Sequence, residues 1–82
     1  METNSKAVDA RLKYKVKTML AELTETKRLK IRNNVISRTG ISLSSYSRYI
    51  NARQNESIDI PGAVLSAFAD LLLCDVGELY NK

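Results

Sequence analysis

Four polar side chains, Ser44, Ser47, Arg48 and Asn51, follow one another at intervals of three, one and three residues. On a helix, at about 100° per residue, they share one arc, with Tyr46, Tyr49 and Ile50 opposite. Hydroxyls, a guanidinium and a carboxamide provide hydrogen-bond donors and acceptors, and the arc contains no acid. This set suits nucleobase edges and phosphate oxygens, since a guanidinium can pair with guanine O6 and N7 while hydroxyls and amides bond either target. Serines alone on a helix face are usually only solvated. The arginine and asparagine on the same arc favour the nucleic-acid reading.

An element must hold that arc outward, and the segment Ser37 to Arg53 supplies it. Gly40 can take a positive φ without steric cost, as the position after a helix C-terminus often requires. Ser42 can accept hydrogen bonds from the free N–H groups of a new helix. Two helices joined by so short a turn form a helix-turn-helix, whose second helix enters the major groove of DNA. Here that second helix, helix 3 of the chain, is predicted over about residues 43–51.

Upstream, Val8, Leu12, Val16, Met19, Leu20 and Leu23 are spaced by threes and fours, which predicts helix 1. Lys13, Lys15 and Lys17 interleave with this stripe. They are either solvated or within reach of phosphates. The polar stretch Thr24 to Lys30 has two possible N-caps, Thr24 and Thr26, and helix 2 is expected from about Arg28 to Arg38 with Leu29, Ile31, Val35 and Ile36 available to the core. Its early residues Arg28, Lys30, Arg32 and Asn33 could meet a phosphate backbone. Gln54 to Ile60 is polar and reads as a loop. Pro61 fits the first turn of helix 4, whose buried face is Leu65, Phe68, Ala69 and Leu72. Asp75 and Glu78 resemble a capping box that opens a short helix 5 through Leu79 and Tyr80, with Val76, Leu79 and Tyr80 either core or a dimer seam. Residues 1–7 read as a flexible N-terminal arm and 8–82 as one all-α domain, a bundle of about five helices.

Composition narrows the function classes. With no histidine and one cysteine, Cys74, the chain has no intrachain disulfide and lacks both the usual zinc ligands and the commonest general base. No phosphate-binding glycine loop is present, so an enzyme is not expected, and neither is a cofactor or a metal. Cys74, in an apolar segment, is expected to be a buried core thiol. No apolar run approaches a membrane span and no secretory signal is visible, which suggests a cytoplasmic protein, associated with the nucleoid when bound to DNA. The net charge of +4 is divided: residues 1–53 hold twelve Lys and Arg against four acids, and residues 54–82 hold Lys82 against five acids. The basic charge gathers where a polyanion would dock, unless it is merely an uneven solvated surface.

Thr39-Gly40-Ile41-Ser42, Ser44-Ser45-Tyr46-Ser47-Arg48 and the terminal Leu71 to Tyr80 together resemble the Cro/C1-type helix-turn-helix of phage repressors and related bacterial regulators, over roughly Leu12 to Tyr80. The resemblance implies a lambda-repressor-like bundle that binds double-stranded operator DNA, commonly as a homodimer. It assigns Ser42, Leu43, Ser44 and Arg48 to bases, and Arg32, Asn51 and Arg53 to phosphates. Ser47 joins the base readers from the polar arc, and Asn33 and Ser45 join the phosphate set. The chain departs from the pattern in about five extra residues between helices 1 and 2, in Arg32 where Gln is usual, in Ile36 where a small residue is usual, in Ile50 where a polar residue is common, and in Ala52 where Gly usually follows the reading helix. The expected function is sequence-specific DNA binding in transcription regulation, as a repressor. The alternative is a helical protein-interaction module, antitoxin-like or adaptor, in which DNA contact is secondary.

Overall fold

Thr24 and Ser42 fix where the two central helices begin. The computed structural model describes residues 11–81. The arm expected over residues 1–7 and the start of helix 1 at Val8 lie outside the described residues. Within them the chain is mostly helical: α1 (Val16–Ala21), α2 (Glu25–Thr39), α3 (Leu43–Ile50), α4 (Gly62–Leu72) and a closing 3-10 turn, Val76–Leu79. None of these helices is long and apolar enough to cross a membrane.

α2 starts three residues before the expected Arg28. Thr24, in extended conformation, accepts the Lys27 N–H on its hydroxyl at 3.3 Å, and Glu25 adds a negative charge to the first turn. The helix ends at Gly40, which takes φ 74° and returns its N–H to Ile36 O at 2.8 Å. Two residues later Ser42 caps α3, accepting the Ser45 N–H at 3.1 Å. α4 packs on α2 and on the 3-10 turn, and α3 leans on α2. Phe68 and Leu79 are fully buried at the centre, with Val16, Val35 and Val64 around them.

Helix 1 is shorter than its stripe. Residues 11–15 form no helix: Leu12 pairs with Arg53 and Tyr14 with Tyr80 in isolated antiparallel bridges. Lys13 N–H bonds Ala52 O at 2.8 Å and Lys15 N–H bonds Leu79 O at 2.6 Å, so the segment ties the loop after α3 to the C-terminal turn. Tyr14 is buried, and its hydroxyl accepts the Ile60 N–H at 3.0 Å. The reason lies in Leu12, Tyr14 and Val16, which alternate with Lys13 and Lys15. That period of two serves an extended segment as well as Leu12 and Val16 serve a helix.

Other expectations change as well. Helix 5 is a 3-10 turn, and the Asp75 side chain makes no capping bond; four residues containing Gly77 are too few to nucleate an α-helix. Leu79 is core, but Val76 and Tyr80 are exposed. Pro61 precedes α4 rather than entering it, its carbonyl accepting the Val64 and Leu65 N–H groups at 3.0 Å. Leu29 is 40% exposed rather than core, and Leu72 and Cys74 are half-buried, packed against the core from its edge. Burial and the nearby Glu78 and Asp75 carboxylates push the Cys74 thiol up from its ordinary pKa.

α4 ends in a left-handed Leu73, at φ 58° and ψ 48°, whose side chain is 91% exposed. For a residue with a Cβ this conformation costs about 1–2 kcal/mol, and so exposed a side chain offers little packing in return. Leu73→Gly should therefore stabilise the fold by about 1 kcal/mol, raising the melting temperature by roughly 4–8 °C in a circular dichroism melt. An unchanged or lower melting temperature would mean that Leu73 packs usefully where it stands.

Candidate nucleic-acid interface

α3 has two sides because Tyr46 holds one of them down. Tyr46 is buried, its ring 5.6 Å from that of Phe68 and tilted by 39°. Burial pushes the phenol above its ordinary pKa, and the positive Arg32 opposes that shift. Tyr49 and Ile50 are half-buried beside it. The opposite side is consequently exposed, with Ser44, Ser47 and Arg48 open to solvent and Leu43 55% exposed at the first turn. α3 contains no acid.

Of the base-reading candidates, Ser42, Leu43, Ser44, Ser47 and Arg48 are thus brought together on one short exposed face. They differ in availability. The Ser42 hydroxyl is occupied as the N-cap and donates to the Ser45 hydroxyl at 3.1 Å, so Ser42 shapes the helix start and Ser45 is half-buried against it. Arg48 is exposed in the last turn, where its charge meets the negative end of the helix dipole.

The phosphate candidates are more scattered. Asn51 ends α3, its side-chain N–H bonded to Ser47 O at 2.8 Å and its side-chain oxygen accepting from the Lys17 ammonium. Asn51 therefore serves first to bring α1 to the end of α3, and Lys17 arrives at the face with it. Arg32 lies on α2 near Tyr46, with its Nε buried and without a hydrogen-bond partner. Asn33, next on α2, is exposed. Arg53 is exposed beyond α3, and its backbone N–H bonds the Glu56 carboxylate at 2.7 Å, which sets an acid beside it. Ala52, where a glycine is usual, is buried with an ordinary negative φ, because the helix has already ended at Ile50.

Two lysines from the interleaved set have separate fates. Lys13 turns inward, its ammonium donating to Glu56 O and Ile58 O at 2.7 Å each and to Asp59 at 3.3 Å. It pins the loop before α4 and is not part of the face. Lys17 is the one the α3 periodicity could not reveal, since its place depends on a bond to Asn51 across 34 residues. Arg38 is likewise engaged, paired with Asp70 of α4 at 2.9 Å. Comparison with family models, with curated proteins and with solved structures finds no match.

Proposed function

We propose that the chain is a sequence-specific double-stranded DNA-binding regulator of transcription, a repressor acting as a homodimer, with α2, the Gly40 turn and α3 as a helix-turn-helix and α3 as the helix inserted in the major groove. The observation that carries this is the face of α3, where Ser44, Ser47 and Arg48 point to solvent without an acid among them while Tyr46 is locked on Phe68. A helix eight residues long, buried on one side and lined with donors on the other, has the dimensions and chemistry of a major-groove reader. The sequence resemblance to Cro/C1-type regulators supports the same reading. Repression needs only that a small domain occupy a promoter.

Selection from a randomised duplex library at physiological salt tests it, with Arg48→Ala run in parallel. A two-fold-symmetric site with half-sites about one helical turn apart should emerge. Arg48→Ala should stay folded and lose preference at one base pair per half-site, a cost of about 1–3 kcal/mol for each such contact. Enrichment that Arg48→Ala leaves unchanged would remove Arg48 as a base reader.

A second reading has its own observation. Leu73, Val76 and Tyr80 are large apolar side chains left exposed near the C-terminal end of the fold, the kind of residue that meets a protein. If no duplex enriches and the Tyr80→Asp variant, still folded, loses a captured protein that Arg48→Ala retains, the chain is an interaction module instead.

A further inference from the structure

We infer that the groove between α1, α2 and α3 is a binding site for a small amphipathic carboxylate. The groove is open to solvent and offers about 450 Å³, within the range of small-molecule sites, which are mostly apolar with a few convergent polar groups. Its apolar lining comes from Leu20 and Ala21 of α1, Leu29 of α2, and Tyr46 and Ile50 of α3; its charged lining is Lys17, Arg28 and Arg32, with no acid. An apolar wall beside three cations complements a molecule with an apolar body and one anionic end, and repels a cationic one.

Two further observations point to a ligand with an anionic end and an apolar body. The Arg32 Nε is buried without a hydrogen-bond partner. That atom is closed off from a ligand, but the guanidinium it belongs to is half-buried and lines the groove, and a carboxylate is the acceptor that a guanidinium fork fits best. Leu29 is a large apolar side chain left 40% exposed on the helix that carries Arg28 and Arg32, and an alkyl or aryl body lying in the groove would cover it. The cations are also held in place beforehand. Arg28 donates one N–H to Leu23 O at 2.6 Å, and Lys17 is tied to Asn51, each keeping further donors for a ligand.

The site reaches the reading helix from behind. Tyr46 and Ile50 lie on the inner side of α3, and Asn51 closes that helix on Lys17. Occupancy of the groove would bear on how α3 is seated, which makes the ligand an effector in the proposed regulator. The binding site itself does not depend on the DNA-binding reading.

The test uses the full chain without DNA. Sodium octanoate, kept below its micelle concentration, is titrated into ¹⁵N-labelled protein, with neutral octanamide as the comparison. Saturable shifts centred on Leu20, Leu29, Arg32 and Ile50 are expected, with octanamide binding at least about tenfold more weakly because the charge-assisted bonds are lost. Leu29→Glu, at an exposed position that tolerates charge, should abolish binding while the fold persists. Arg32→Gln should weaken octanoate about tenfold and leave octanamide unchanged. Equal affinities for the two ligands, shifts that neither saturate nor centre on the groove, or full binding by folded Leu29→Glu would overturn the proposal. None of these results bears on whether the chain selects a DNA sequence.

Discussion

Phe68→Ala should remove about 3–5 kcal/mol of folding stability, because a fully buried ring is deleted and the surrounding core closes only partly on the cavity. Phe68 has no exposed surface. A domain of this length holds roughly 4–12 kcal/mol in total, at about 0.05–0.15 kcal/mol per residue, so the loss takes a large share of the whole. The ring lies on α4 and contacts Tyr46 at 5.6 Å, the contact that seats α3. The variant should therefore lose order in α3 before the other helices, visible as faster amide exchange at Tyr46 and its neighbours. Phe68→Leu keeps most of the volume and should cost less than about 1.5 kcal/mol. Urea unfolding followed by circular dichroism measures both. A loss below about 1 kcal/mol in the alanine variant would show that the core repacks freely around α4.

Which parts of this fold can be read from the sequence follows from how local their causes are. Thr24, Gly40 and Ser42 act on backbone groups three or four residues away, so the ends of α2 and α3 are visible in a short window. The buried face of α4 is visible for a similar reason, because Leu65, Phe68 and Ala69 repeat at helical spacing. Residues 11–15 are different. Most of their backbone hydrogen bonds join them to Ala52, Gln54, Leu79 and Asn81, partners too distant in sequence to leave a local trace. Val8, Leu12 and Val16 satisfy a helical stripe, Leu12, Tyr14 and Val16 satisfy alternation, and only the tertiary partners decide between them. Helix 5 fails for the opposite reason: Asp75 and Glu78 have capping-box spacing, but the segment behind them is too short to close an α-helical turn.

The candidate site divides along the same line. The exposed face Ser44, Ser47 and Arg48 follows from periodicity alone once Tyr46 is taken as the buried side. The surroundings of that face do not. Asn51 is drawn into bonds with Ser47 and Lys17, Ser42 is occupied as a cap, and Arg53 has Glu56 at its own amide. Residue type and spacing list these side chains as equals; their bonds rank them. Arg48 is exposed on that face, while Lys17 is drawn to the end of α3 by Asn51 and Arg32 is half-buried on α2. The groove behind α3 is beyond any sequence pattern, because its three cations come from two helices and its apolar lining from three.

If the chain binds DNA as proposed, the strongest solution-dependent effect is expected on that affinity. If each protomer of a dimer neutralises phosphates with Lys17, Arg32 and Arg53, about six counterions are released, and the logarithm of the binding constant should fall with the logarithm of salt at a slope of about −5. Raising salt from about 50 to 200 mM would then weaken binding on the order of 10³-fold. A monomer with the same contacts would give a slope of about −3 and a loss of roughly 40-fold, so the slope also bears on stoichiometry. Fluorescence anisotropy on a selected duplex measures it. Lys17→Ala should reduce the slope by about one per protomer while leaving the preferred sequence unchanged, since a phosphate contact strengthens binding without reading a base. Arg48→Ala should do the reverse, flattening the sequence preference more than the slope. If Lys17→Ala and Arg32→Ala together leave the slope unaltered, the basic half of the chain meets the duplex through another surface, and the side chains around α3 serve the groove behind it rather than the DNA in front.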